Sequence, residues 1–269
     1  MPQEQERAPV VALLTDFGTT DHFVAAVKGA VLGIEPCAVI VDVTHEIRPH
    51  DLRSAGFSLW ACYKNFPKGT VFVCVVDPGV GSARRRIIFR TDQYQFVAPD
   101  NGLLSFVLDS ENGTLFEITE GSYAADEISG TFDGRDVFGP VGAHLASGVA
   151  AEEIGRPIEE VVRHRTGLAG NDEMEGFEGA VIHIDRFGNL ITNLKPEDLP
   201  AGASVSIAGT LIGERRRFFD DGESGGLFLI KGSTGLIEVA SNGSSASDAL
   251  GARVGDIVSI HLAEGGLGQ

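Results

Sequence analysis

The residues with the clearest capacity for chemistry stand between Val71 and Arg86, in the run VFVCVVDPGVGSARRR. Asp77 follows an apolar, largely β-branched stretch and precedes Pro78-Gly79, where proline fixes φ and glycine permits positive φ. A carboxylate is therefore expected at the C-terminal end of a buried strand, the usual ligand position in open α/β sheets. Arg84 lies seven residues on, near enough to fold back and pair with Asp77. A reaction site and a structural ion pair are both open on this spacing.

Other polar groups cluster in similar places. Asp16 and Phe17 close the apolar run at 10–14, so in a parallel sheet Asp16 shares an edge with Asp77. A carboxylate there can accept two hydrogen bonds from a ribose diol, although a turn or helix cap is the plainer use. His50, in the loop Arg48-Pro49-His50-Asp51, is a candidate site residue. Phe132, Asp133 and Gly134 open a polar knot in which Arg135 and Asp136 could equally cap a helix. Asp185, Phe187 and Asn189 belong to a polar turn between two strands, and Asn189 offers both a donor and an acceptor.

Two chemistries find little support. The Gly79-Val80-Gly81 loop lacks the G-x-G-x-x-G order, and no Walker lysine follows it. His45, His50, His144 and His183 show no metal-binding spacing, so no metal is expected.

Positioning these groups requires strands that end at one edge. Strands are predicted at 10–14, 38–43, 71–76, 86–90 and 94–98. Helices are predicted from Asp21 (as cap) through Val31, from Asp51 to about Phe66, from Pro99 to about Leu108, and after the loop at 131. Strand, polar loop and helix in alternation indicate an α/β N-terminal domain over 1–163 with a largely parallel layered sheet. Residues 164–176 are rich in Gly, Asn and Asp and read as a linker. Over 177–269 helical signals nearly vanish, and six short strands between glycine-rich turns suggest an all-β, barrel-like C-terminal domain.

With 38 acidic and 21 basic residues the net charge is −17, which argues against nucleic acid as a partner. No apolar run approaches the roughly 20 residues of a membrane span. The polar start MPQEQERAP has no signal-peptide core. Cys37, Cys62 and Cys74 sit in apolar segments without C-x-x-C spacing, so buried reduced thiols and a cytoplasmic location are expected.

Seven segments then occur in order along nearly the whole chain: TDFGTTDHFVAAVKG, DVTHEIRPHD, VVDPGVGSARR, APDNGLL, TFDGRD, HIDRFGNLITN and STGLIEVASN. Together they resemble the S-adenosyl-L-methionine (SAM) hydrolases, or SAM hydroxide adenosyltransferases, which are relatives of the fluorinase and chlorinase. The resemblance implies a homotrimer whose substrate, SAM, lies between one subunit's N-terminal domain and its neighbour's C-terminal domain. It implies that Asp16 holds the ribose diol, with Phe132 and Gly134 lining the pocket and Phe17 and His50 beside it. Asp185 and Asn189, with Phe187 in the same turn, would hold the methionine end. Ser233 would receive its carboxylate, and Asn242 and Glu238 would address adenine.

The family hydrolases use an Asp–Arg–His trio near the water, and Asp77 and Arg84 match its first two members. Where the family reads T-F-H-G-R-D, this chain has Asp133. Three outcomes are open: Asp77 and Asp133 share a proton, His50 or His45 supplies the imidazole, or activity is weak or lost. The fluorinase carries Tyr at the position of Asp77 and a long insertion after 86–90 that is absent here. A carboxylate repels halide but accepts a hydrogen bond from water, so Asp77 favours hydrolysis, whereas Gly134 excludes a chlorinase less well. The expected products are adenosine and L-methionine, without metal or cofactor. A non-catalytic SAM or adenosine sensor and a relative that shares the fold alone are the other classes.

Overall fold

In β3 (Val71–Val75) every residue is buried. Strand alternation sends Val71, Val73 and Val75 into one hydrophobic cluster, and Phe72, Cys74 and the following Val76 into another. A strand apolar on both faces needs cover on both. Helices α1 (Phe23–Ile34) and α4 (Gly139–Ala146) supply the first layer through Val27, Val31, Val141 and Leu145. Helix α2 (Leu52–Cys62) supplies the second through Ala55 and Leu59. Each such fully buried aliphatic side chain contributes roughly 1.5–3 kcal/mol of transfer free energy. Gly142 lets α4 approach β3 closely, since a Cβ there would fall 2.3 Å from Val73 Cγ2.

This is a computed structural model that describes residues 8–168, 178–220 and 225–262. The chain divides into two compact units, Met1–Arg165 and Thr166–Gln269. Of the linker expected at 164–176, residues 169–176 lie outside the described residues.

The first unit's sheet also contains β1 (Val10–Thr15), β2 (Val39–Thr44), β4 (Arg86–Arg90), β5 (Gln95–Pro99), β6 (Thr114–Ile118) and β7 (Gly155–Ile158). Their order is β2-β1-β3-β5-β4-β6-β7. Strands β2, β1, β3 and β5 pair in parallel, and β4, β6 and β7 extend the sheet antiparallel. Strands β1, β2, β3, β5 and β6 thus share one direction, so the sheet is largely parallel. Thr15 lies opposite Val75, which puts the ends of β1 and β3, and hence Asp16 and Asp77, on one edge.

The second unit is a single antiparallel sheet, built from β8 (Glu178–Ile184), β9 (Leu190–Thr192), β10 (Ser204–Ile207), β11 (Thr210–Ile212), β12 (Leu227–Lys231), β13 (Ile237–Ser241) and β14 (Ile257–His261). Its order is β11-β10-β14-β8-β9-β13-β12. A bridge from Arg215 to Leu229 brings the chain after β11 beside β12, so the sheet nearly closes as a barrel around Val181, Leu190, Val205, Val239 and Val258.

Several local expectations are corrected. Helix α1 takes His22, not Asp21, at its N-cap position and has no side-chain cap bond. Asp51 does cap α2, accepting from the Ser54 amide at 3.0 Å, but the α-helix stops at Cys62 and Tyr63–Asn65 form a 3₁₀ turn. The helix expected from Pro99 reduces to α3 (Ser105–Leu108). Short elements without sequence signals add β6, β7, β11, α5 (Ala151–Ile154) and α6 (Ala246–Leu250). Of the three thiols, Cys74 is buried and Cys62 half-buried, but Cys37 is exposed. Among the described residues no helix is long and apolar enough to cross a membrane.

Candidate active site

The end of β3 carries Asp77, and the Pro78–Gly81 turn reverses the chain so that Arg84 reaches back. Arg84 Nε donates to Asp77 Oδ1 at 2.7 Å, and its Nη2 donates to Asp77 Oδ2. The same Nη2 donates to Asp133 Oδ2 at 2.6 Å. From the start of β4, Arg86 forks onto Asp133, Nε to Oδ2 at 3.0 Å and Nη2 to Oδ1 at 3.1 Å. Asp77, Arg84, Asp133 and Arg86 therefore form one chain of alternating charge. The side chains of Asp77 and Asp133 are 4% and 1% exposed, which limits solvent screening of these pairs.

Burial pushes the Asp133 carboxyl up, but hydrogen bonds and charge from Arg86 and Arg84 outweigh it and hold the group below the usual carboxylate range. Burial also works against the Arg84 charge, and Asp77 and Asp133 more than restore it. These contacts favour an ionised Asp133 over an Asp77–Asp133 pair sharing a proton. The two acids meet through Arg84 instead, and Asp133 is stabilised as an anion.

Asp133 sits at the entrance of a π-helical turn, Gly134–Phe138, a deformation frequent at functional sites. Its neighbour Phe132 faces the other cluster. Phe17, Phe23 and Phe132 pack pairwise with ring centroids 5.3–6.1 Å apart. A Cβ on Gly134 would meet Phe132 at 3.1 Å and Phe17 at 3.2 Å. The Phe132-Asp133-Gly134 step thus joins the aromatic group at the end of β1 to the ionic group at the end of β3.

Asp16 Oδ2 accepts the backbone N–H of His50 at 2.9 Å. His50 has φ +69°, an uncommon conformation for a non-glycine residue and one that recurs at functional sites. His50 lines a cavity of about 460 Å³ with Arg53, Gly102 and His164. His45 is engaged elsewhere: Nδ1 lies 2.8 Å from Thr15 Oγ1 and Nε2 3.0 Å from Asp42 Oδ1. Among the described residues neither histidine is hydrogen-bonded to the Asp77–Arg84 pair.

In the second unit, Asp185 Oδ1 accepts the amides of Phe187 and Asn189, both at 2.9 Å, and Oδ2 accepts Asn189 Nδ2 at 2.8 Å. The acid therefore shapes the β8–β9 hairpin, and Phe187 projects from its tip, 78% exposed. This turn borders a cavity of about 760 Å³ also lined by Ser233, Glu238 and Asn242. Burial first, and then the charge of Asp185, push the Glu238 carboxyl up to about 7. A Cβ on Gly232 would fall 1.7 Å from Glu238 Oε1, so glycine is needed for this carboxyl to keep its place. Among the described residues no group of three His, Cys, Asp or Glu could hold a metal ion.

The SAM hydroxide adenosyltransferase N-terminal domain matches residues 11–155, and the corresponding C-terminal domain matches residues 179–259. The chain belongs to the SAM hydroxide adenosyltransferase family. A Thermus thermophilus protein named (R)-S-adenosyl-L-methionine hydrolase is 38% identical over 257 residues, covering 91% of this chain and 96% of its own. A fluorinase from Actinoplanes sp. is 32% identical over 219 residues, 71% of this chain and 73% of its own. The solved structure of an uncharacterized conserved protein from Thermotoga maritima has a TM-score of 0.85 at 32% identity, covering 94% of this chain and all of that one.

Within this adenosyltransferase frame, reading by motif missed Arg86. Its signal lies in the tract Arg84-Arg85-Arg86. Arg84 and Arg86 both reach Asp133, while Arg85 turns away to Asp100, Nε to Oδ2 at 2.8 Å. Alternation along an extended segment produces that split.

Proposed function

We propose that this protein hydrolyses SAM, water displacing methionine at ribose C5′ to give adenosine and L-methionine. The observation that carries the reading is the Asp77 carboxylate fixed by Arg84 at the end of β3, in a chain 38% identical over most of its length to a protein named for this hydrolysis. Water oxygen forms the new bond to C5′ as the C5′–S bond breaks and its electron pair stays on sulfur. The sulfonium leaves as a neutral thioether, so no general acid is required. The proton released from water passes to Asp77 or onward to solvent. Catalysis is then mainly alignment of water, C5′ and sulfur, together with exclusion of bulk solvent.

In this scheme Asp77 orients the water, and Arg84 fixes the carboxylate that does so. Asp16 holds the ribose diol: Oδ2 is committed to the His50 amide, but a carboxylate has about four lone-pair sites in all. Phe17, Phe132 and Gly134 enclose the sugar. The turn at Asp185, Phe187 and Asn189 receives the methionine end, Ser233 its carboxylate, and Asn242 and Glu238 the adenine. The protein acts as a cytoplasmic homotrimer in which one subunit's ribose-and-water half-site meets a neighbour's methionine-and-adenine half-site. It needs no resident cofactor or metal, because the leaving group is already activated.

Halide in place of water is the competing nucleophile raised by the fluorinase similarity. A fixed carboxylate at Asp77 repels an anion and favours water. Incubation with SAM, with and without chloride, followed by chromatography tests the choice. Adenosine and methionine in both conditions support the hydrolase. Formation of 5′-chloro-5′-deoxyadenosine transfers the reading to a halogenase. No consumption over hours, with adenosine still raising Tm, leaves a sensor.

A further inference from the structure

Asp133 introduces a second buried carboxylate beside Arg84, a guanidinium already bonded to Asp77. One arginine between two acids leaves a net negative charge in a site with little screening, and each acid competes for the same donors. Arg86 changes this balance. It takes both oxygens of Asp133 in a fork and makes the group neutral overall, two acids with two guanidiniums. Arg84 Nε then remains on Asp77 Oδ1, while its Nη2 spans both acids.

We propose that Arg86 is a positioning residue for the hydrolysis: by neutralising Asp133 it lets an aspartate stand at this point without drawing Arg84 away from Asp77. Arg86 touches neither water nor substrate in this account. It acts through Asp133 on Arg84, and through Arg84 on the direction of the Asp77 carboxylate. Asp133 and Arg86 are thus one unit, and each is harmful without the other. The inference rests on the hydrolase reading and adds a residue to it.

The charged groups around Asp133 define the pH behaviour. Asp77 and Arg84 face it from the loop after β3, and Arg86 faces it from β4. Within its own turn, Arg135 is paired with Asp136, Nε to Oδ1 at 2.6 Å. Asp136 is also held by the Ser129 amide at 2.8 Å. Removing Arg86 therefore removes one of the two cations bonded to Asp133 and lets burial raise the affinity of that carboxyl for a proton.

The test compares wild type with Arg86→Met, Arg86→Lys, Asp133→Asn and the Arg86→Met/Asp133→Asn double variant, using SAM turnover across pH. Arg86→Met should lower kcat by about 30-fold while moving KM by less than about threefold, since alignment is lost and not grip. Its acid limb should move to higher pH. Lysine should restore most of the rate, and the double variant should recover at least about tenfold over Arg86→Met. A rate unchanged in Arg86→Met overturns the inference. So does a loss that leaves the acid limb in place and that Asp133→Asn does not relieve, because that pattern belongs to a residue that only stabilises the fold. A wild-type protein without turnover ends both the hydrolase reading and this one. An active wild type with an undiminished Arg86→Met ends this one alone.

Discussion

At the end of β3 the acids are matched by guanidiniums in a continuous chain, and Asp133 is held ionised by Arg86 and Arg84. In the cavity of the second unit Asp185 is spent on backbone amides, and burial first, then the charge of Asp185, raises the Glu238 carboxyl to about 7. The first arrangement fixes charge and direction; the second offers hydrogen-bonding groups, among them Glu238 with its pKa raised to about 7. Orienting a water needs a rigid acceptor, whereas gripping an amino acid and a nucleobase needs shape and donors. On this account the first region governs kcat and the second governs KM.

The largest effect should come from Asp77→Ala. If this carboxylate orients the water as proposed, its loss should cut kcat by about 10²–10⁴-fold. Adenosine affinity, read by calorimetry, should stay within roughly tenfold, and a fully active variant would remove Asp77 from the chemistry. Asp133→His comes next. A neutral ring in place of Asp133 leaves Arg84 paired with Asp77 but Arg86 uncompensated, so kcat should fall by about tenfold, and adding Arg86→Ala should restore much of it. Equal rates for the single and double variants would break the coupling between these positions.

Asp185→Ala should act on the other side of the comparison. The hairpin loses three acceptor contacts, so KM for SAM should rise by about tenfold while kcat changes by less than about threefold. A selective kcat loss would place chemistry in the second unit and collapse the distinction.

The smallest effect concerns stability. Glu238 has a folded-state pKa raised from 4.5 to about 7, so its contribution is fully present below about pH 4.5 and is lost as pH rises to about 7. Glu238→Gln should flatten stability over that interval and raise Tm at pH 8 by about 2–4 °C. A thermal-melt series over pH with no change in slope would contradict the burial of this carboxyl.

Asp77 and Arg84 were legible because local chemistry dictates their placement: an apolar run ends at Pro-Gly, and an arginine follows within reach. The two-layered cover of β3 was legible from the strand–loop–helix alternation. The antiparallel extension β4-β6-β7 was not, since β7 contains Gly155 and Pro157 and owes its extended form to pairing with β6. Asp21 failed as a cap although its type suits the role, because the helix begins two residues later. Arg86 looked like part of a solvated basic tract. Its function depends on Asp133, 47 residues away, and a contact at that separation has no local signature. Asp185 and Asn189 were visible as a turn, but the cavity they border is also lined from β12 and β13, much further along the chain.

The most direct measurement of the central claim is the fate of solvent oxygen. With SAM turned over in ¹⁸O-labelled water, mass spectrometry should find one ¹⁸O at the 5′-oxygen of adenosine and none in methionine. Adenosine without the label, or a 5′-halogenated product in its place, would contradict attack by a water molecule held at Asp77.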